Sequence, residues 1–207
     1  MSSYSGTKTF AERAVWEFAA EYPDINITVC KCAVLRLDAA NLHVNRQITV
    51  NPPFFIGPLA PGLRVPPGDT GALSTDKFIY DLLFAENRVE TPAVGFVDVR
   101  DVAIGLVKGQ KTPGKHRIVF SGEWFTFEEA IDYIASIRPE LKGRLATTSK
   151  TAQKNSLVDN SKAALVLDLT PRSWKESIQD AIDDLLKLEK SWIEEGIKIK
   201  GDGSTER

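Results

Sequence analysis

The chain has 207 residues, of which 43% are hydrophobic, and this is enough for one domain with a sizeable core. Its 26 Lys and Arg against 28 Asp and Glu give a formal net charge of −2, so no basic surface for nucleic acid is indicated. No apolar run could span a bilayer and no signal-peptide segment opens the sequence, so we expect a cytoplasmic protein without membrane partners.

A helical pattern extends from Thr7 to Glu21, and Tyr4 and Lys8 stand at its start. Residues four apart share one face of a helix. A neighbouring ammonium lowers the pKa of a phenol from its usual value near ~10, so that the phenol can exchange a proton with a carbonyl oxygen near neutral pH. The same pair also occurs on ordinary surface helices, so the pattern alone leaves both interpretations open.

The next predicted strand is interrupted. Ile25–Thr28 alternates like a strand, and Ile48-Thr49-Val50-Asn51 resumes that pattern before a loop rich in Pro and Gly. The intervening residues Val29–Gln47 fit neither a helix nor a strand. Without them the chain reads as one continuous strand entering its loop, in which the local signals agree.

We interpret Val29–Gln47 as a translated, retained intron. The codons of Val29-Cys30 can begin with a GT donor, Gln47 can be CAG, and Ala40-Asn41 can supply a branch point. The alternative is a genuine surface insertion, which loops tolerate well.

The remaining elements follow in order. A loop over Leu59–Asp69 precedes Leu73-Ser74-Thr75-Asp76, which is predicted to cap a helix. The further predicted elements are a strand passing into a helix within Gly95–Lys108, a strand over His116–Phe120, a helix over Phe127–Ile137 with a capping box from Thr126 and Glu129, and a last helix after Ser173. The tail from Gly201 to Arg207 is predicted to be disordered.

The sequence offers a poor set of metal ligands. Cys30 and Cys32 form only a Cys-x-Cys pair, and His43 and His116 are the two histidines. Because a zinc site needs three or four such ligands at suitable spacing, we assign no metal.

The series YSGTK-TFAERAVWEF, TVNPPFFIGP, FVDVRDVA, HRIVFSGEWFTFEE, PELKG and VDNSKA resembles the extended short-chain dehydrogenases/reductases. These belong to the NAD-dependent epimerase/dehydratase family. Within them the chain is most similar to NADPH-dependent methylglyoxal and aldehyde reductases, ketoreductases and dihydroflavonol reductases. The resemblance extends from Tyr4 to about Trp192, apart from Val29–Gln47. It implies an α/β Rossmann-type fold, NADPH as the cofactor, and a small aldehyde or ketone as the substrate.

The resemblance also implies roles for individual residues. Tyr4 corresponds to the proton donor and Lys8 to its partner on the nicotinamide ribose, and both contact the cofactor. The other implied cofactor contacts are Pro52, Phe55, Ser74 and Thr75. The implied substrate wall consists of Phe54, Leu59 and Tyr80, for which plain core packing is the alternative.

The family's G-x-x-G-x-x-G turn for the pyrophosphate does not occur in these 207 residues, nor does its catalytic serine. We therefore expect the C-terminal half of the fold, truncated and inactive as given. Residues 1–58 would be the remainder of the dinucleotide-binding domain, with the insertion at 29–47. Residues 59–200 would be the substrate-binding region with interleaved Rossmann elements. The oligomeric state would be a monomer or a homodimer.

Two alternative functions are left open. One is a nucleotide-sugar epimerase or dehydratase of the same superfamily, although Asn51-Pro52-Pro53 favours the reductases. The other is a non-catalytic remnant that acts as an interaction module through an exposed helix.

Overall fold

A computed structural model describes residues 3–25, 27–30, 33–34, 46–91, 95–148, 159–201 and 203–206. The α-helices in these residues are α1 (Ser3–Glu21), α2 (Lys77–Tyr80), α3 (Val99–Lys111), α4 (Phe127–Ile137), α5 (Ser161–Leu167) and α6 (Trp174–Glu194). The 3₁₀ helices are Thr70–Asp76, Asp81–Leu83 and Pro139–Arg144. None of the helices in these ranges is long and apolar enough to cross a membrane.

The strands within the described residues are short, and most of the strand pairs are parallel. They are β1 (Ile27–Cys30), β2 (Ala33–Val34), β3 (Arg46–Asn51), β4 (Phe54–Ile56), β5 (Arg88–Val89), β6 (Phe96–Asp98), β7 (Gly114–Val119), β8 (Thr147–Thr148), β9 (Lys198–Ile199) and β10 (Thr205–Glu206). Parallel pairs between strands far apart in sequence require crossover connections, which is typical of the α/β class. The predicted α/β class is confirmed.

The chain divides into two compact units. The first contains residues 1–52, 100–121 and 158–170, and the second contains residues 53–99, 122–157 and 171–207. Residues 100–121 belong to the first unit because β7 returns to pair with β3. The predicted domain boundary at residue 58 stays a prediction.

The first unit is built on a four-stranded sheet with the order β2-β1-β3-β7. β1 runs parallel to β3 with Ile27 opposite Gln47, and β3 runs parallel to β7 with Arg46 opposite Gly114. Ile48, Val50 and Ile118 are buried on these strands, so the core of this unit lies along β3 and β7.

The two segments that flank the predicted intron are therefore neighbouring strands in this chain. Residues 31–32 and 35–45 of that segment lie outside the described residues, and β2 within it pairs antiparallel with β1. The retained-intron interpretation stays a prediction.

The second unit has an aromatic and aliphatic core. Phe96 of β6 stacks on Phe125 with 5.3 Å between ring centroids, and Phe54 stacks on Phe78 at the same distance. α6 lays its apolar stripe on this core, with Ile178, Ala181, Ile182, Leu185 and Trp192 buried. The predicted last helix is confirmed.

Local signals place the end of α1 and the start of α4 correctly. α1 was predicted over residues 7–21 and ends at Glu21 as expected, but it begins earlier, at Ser3. The predicted capping box of α4 is present: the Glu129 N–H donates to Thr126 Oγ1 at 3.1 Å, and the Thr126 N–H donates to Glu129 Oε2 at 2.7 Å.

The C-terminal tail is not wholly irregular, contrary to the prediction of disorder. Residues 205–206 form β10, which pairs antiparallel with β9, and Gly203 is buried. The Thr205 hydroxyl also donates to the Gly68 carbonyl, a contact that sequence patterns could not indicate because it joins residues 137 positions apart.

Candidate functional site

Tyr4 and Lys8 both lie in α1, one helical turn apart along its backbone. The side chain of Tyr4 lies outside what the structure describes, whereas Lys8 is half-buried. α1 ends at Glu21 and β1 begins at Ile27, a connection so short that the helix must run back antiparallel to the strand. The N-terminal end of α1 therefore points toward the carboxyl ends of β1 and β3, the edge at which parallel sheets bind ligands.

Asn51 ends β3 at this edge and is 8% exposed. Its Nδ2 donates long hydrogen bonds to the carbonyls of Thr49, at 3.5 Å, and Ile118, at 3.4 Å. These two acceptors fix the orientation of the amide, because a flipped amide would turn its own oxygen toward them. Asn51 Oδ1 then has no hydrogen-bond partner among the described residues.

Pro52 follows Asn51 directly and is half-buried. A buried acceptor such as Asn51 Oδ1 costs about 1–3 kcal/mol when no donor meets it. This edge of the sheet is therefore suited to a ligand or water that donates a hydrogen bond.

In the second unit, two of the predicted cofactor residues are in contact. The Thr75 hydroxyl donates to the backbone carbonyl of Phe55. The neighbouring backbone is held in the same way: the Gly57 N–H donates to Asp76 Oδ1 at 3.2 Å, and the Leu59 N–H donates to Asp184 Oδ2 at 3.1 Å. Sequence analysis missed the roles of both carboxylates.

Asp76 was expected to help cap a helix, but it makes no side-chain capping bond. The cap of this helical stretch is Asp69, whose Oδ1 accepts from the Ala72 N–H at 3.1 Å. Burial raises the pKa of Asp76 to about 7; the hydrogen bond from Gly57 lowers it, and the charges of Asp98 and Asp184 raise it further. A group that titrates near neutral pH beside a predicted cofactor segment is a candidate for a functional role.

Ser74 has a strained backbone. Its φ of 54° and ψ of −124° interrupt the Thr70–Asp76 helical stretch three residues before α2 begins at Lys77. Non-glycine residues in this region cost about 1–3 kcal/mol, and such strain is concentrated at functional sites. The strain therefore falls on a residue predicted to contact the cofactor.

The three predicted substrate residues differ in their surroundings. Phe54 and Leu59 are half-buried and pack against the core of the second unit. Tyr80 is 1% exposed, and its hydroxyl donates to Glu189 Oε2 at 3.1 Å. Burial, followed by the charge of Glu189, raises the pKa of the Tyr80 phenol above its ordinary value. For Tyr80 these contacts favour the core-packing alternative over a substrate wall.

Glu189 is itself fixed by an ion pair. Arg144 Nη1 and Nη2 each lie 2.8 Å from one of its carboxylate oxygens, and Arg144 Nε donates to the Leu83 carbonyl at 2.9 Å. A bidentate pair of this kind is a strong, geometrically specific interaction. It links α6 to the 3₁₀ helix Pro139–Arg144, whose Arg144 also bonds the 3₁₀ helix Asp81–Leu83 that follows Tyr80.

Comparison with known proteins gives these features a context. No family model matches the chain. It is 30% identical over 199 residues to the NADPH-dependent methylglyoxal reductase GRE2 of Saccharomyces cerevisiae, covering 91% of this chain and 52% of that protein. The chain is homologous to part of an extended short-chain dehydrogenase/reductase.

Solved structures of such reductases have a similar fold to this chain. The yeast methylglyoxal/isovaleraldehyde reductase Gre2 complexed with NADPH superposes with a TM-score of 0.60 at 26% identity, covering 87% of this chain and 54% of that one. Gre2 from Candida albicans has a TM-score of 0.67 at 22% identity over 90% and 52% of the two chains, which supports the fold. The chain spans about half the length of the curated relatives it matches.

Proposed function

We propose that the protein encoded by the complete transcript of this chain reduces a small aldehyde or ketone with NADPH, as a cytoplasmic monomer or homodimer. The observation that carries this proposal is the position of Tyr4 and Lys8, one turn apart at the end of α1 that faces the carboxyl edge of the sheet. The relationship to an NADPH-dependent reductase supports it.

Each unit has residues that fit the nicotinamide half of the cofactor. In the first unit, Asn51 Oδ1 is an acceptor without a partner among the described residues, and Lys8 and Pro52 are predicted contacts. In the second unit, Ser74 holds a strained backbone at a predicted cofactor position, and Phe55 is a further predicted contact. For the pyrophosphate half, the 207-residue sequence contains no G-x-x-G-x-x-G turn.

Tyr4 would act as the general acid of the reduction. When bound, NADPH would supply the hydride to the carbonyl carbon. The phenol of Tyr4 would donate its proton to the carbonyl oxygen, and the ammonium of Lys8 would stabilise the phenolate that remains. Backbone groups near Phe55 would orient the nicotinamide ring for transfer from one face.

The first test is to sequence the full transcript across its 5′ end and through the codons for Thr28 to Ile48. We then purify its protein product and measure NADPH oxidation with methylglyoxal or isovaleraldehyde. Tyr4→Phe removes only the hydroxyl and should lower kcat at least ~10²-fold, because general acid catalysis contributes about that factor or more. Tyr22→Phe is the matched control, since Tyr22 lies just beyond the other end of α1, where its ring packs against that of Phe18.

If the Tyr4→Phe variant is as active as the wild type, the role assigned to Tyr4 as general acid is wrong. A product that neither binds NADPH nor reduces either aldehyde would contradict the proposed function as a whole. For the 207-residue chain on its own, we expect no tight NADPH binding, and a titration that showed micromolar affinity would refute that expectation.

A further inference from the structure

Three side chains hold alternate residues of one backbone segment, Phe55–Leu59. Thr75 donates to the carbonyl of Phe55, Asp76 accepts from the N–H of Gly57, and Asp184 accepts from the N–H of Leu59. Thr75 and Asp76 lie 20 and 19 residues from their partners, whereas Asp184 lies on α6, 125 residues away from Leu59. The segment is therefore fixed from two separate elements of the second unit.

The two N–H groups that bond these carboxylates flank Pro58, which has no N–H of its own to donate. The N–H groups immediately before and after this proline are thus the ones that Asp76 and Asp184 accept. Gly57 is buried, so its N–H requires a partner, and a carboxylate is a stronger acceptor than a neutral group.

Close packing further restricts the segment at Gly57. Its φ of 142° lies in the region that favours glycine, and a Cβ there would lie 3.2 Å from Val99 Cγ1 and 3.4 Å from the carboxylate oxygens of Asp98. The backbone immediately before it is tied to β6, since β4 pairs parallel with that strand. The packing at Gly57 and the pairing of β4 with β6 therefore restrict the same backbone segment that the three hydrogen bonds hold.

We propose that Asp76 and Asp184 are positioning residues. By holding Gly57 and Leu59, they would keep the preceding backbone at Phe55 in the position in which it orients the nicotinamide ring. This inference rests on the proposed function, because the role of Phe55 comes from it. A displacement of about 1 Å in a positioned group can cost ~10²-fold in rate, so even modest loosening of the segment should be measurable.

The hydrogen bonds themselves are tested by residue-resolved amide hydrogen exchange on the full chain. Asp76→Ala should speed exchange at Gly57, and Asp184→Ala should speed it at Leu59, each by about tenfold or more. Asp183→Ala is the matched control: Asp183 is the adjacent residue on α6 and pairs with Arg138, away from the segment. It should leave both amides unchanged.

The positioning role is tested by NADPH affinity in the protein encoded by the complete transcript. Asp184→Ala should weaken binding by about tenfold, the factor that corresponds to ~1.4 kcal/mol, or one hydrogen bond. Asp184→Asn keeps an acceptor oxygen and should restore affinity, and Asp183→Ala should not change it. A merely structural role would not produce this pattern of loss and rescue.

The outcomes separate the two proposals. If the wild-type protein does not bind NADPH, the proposed function fails and the positioning role falls with it. If the wild-type protein binds NADPH and the alanine variants bind equally well, the positioning role alone is wrong. Unchanged exchange at Gly57 and Leu59 in the variants would overturn the inference irrespective of cofactor binding.

Discussion

The carboxyl group of Asp76 should make the stability of the second unit depend on pH near neutrality. In the folded protein its pKa is raised to about 7 from the ordinary value of 3.8, chiefly by burial. Asp98 on β6 and Asp184 on α6 are the acidic groups that raise it further, and Lys187 lies 2.9 Å from Asp184. The folded state therefore binds this proton more tightly than the unfolded state does.

The sign and size of the effect follow from linkage. The stabilisation is fully present below pH 3.8, where both states are protonated, and it is lost as the pH rises to about 7. The difference between a pKa of 3.8 in the unfolded state and one of about 7 in the folded state corresponds to about 4 kcal/mol. Because Asp76 is only half-buried in the structure, solvent screening should reduce the observed change to about 2 kcal/mol.

Asp76→Asn tests this directly. The Asn side chain still offers an oxygen to the Gly57 N–H but cannot ionise. We expect this variant to gain about 2 kcal/mol relative to the wild type between about pH 4 and pH 8, the range that contains most of the titration window. The measurement is urea unfolding at several pH values, followed by tryptophan fluorescence. Taking the difference between the two proteins removes the pH dependence that they share.

Asp69→Asn provides the matched control, because Asp69 also accepts a backbone N–H with its carboxylate, but at an exposed site on the same helical stretch. The pH-dependent gain of Asp76→Asn should exceed any change that Asp69→Asn shows, because Asp69 is exposed. If the difference between Asp76→Asn and the wild type is constant across this range, the reasoning about Asp76 is wrong.

Two further predictions concern stability. Glu189→Ala should destabilise the protein by about 3 kcal/mol in urea unfolding, because it leaves the guanidinium of Arg144 without its partner; a loss below about 1 kcal/mol would contradict the importance of this pair. Gly122→Ala should cost about 1–3 kcal/mol, since its Cβ would lie 2.8 Å from a backbone oxygen of β6. Gly143→Ala, which meets nothing within 4 Å, should cost nothing comparable, and equal losses for the two glycines would refute the steric argument.

The sequence by itself determined the features that depend on residues close together in the chain. The helix that carries Tyr4 and Lys8, the capping box of Thr126 and Glu129, and the apolar stripe of α6 all follow from spacings of three or four residues. Such spacings report helix geometry directly, because they place side chains one turn apart.

The tertiary structure decided what long-range contacts create. It placed Ile27–Cys30 beside Arg46–Asn51, and it paired β10 with β9 where disorder was predicted. It also buried Tyr80 against Glu189 and brought Asp184 to Leu59 across 125 residues. A local pattern indicates that a face is apolar or that a carboxylate is present. It does not indicate which distant backbone group will contact that face or that carboxylate. Only folding brings those groups together, and with them the burial that raises the pKa of Asp76.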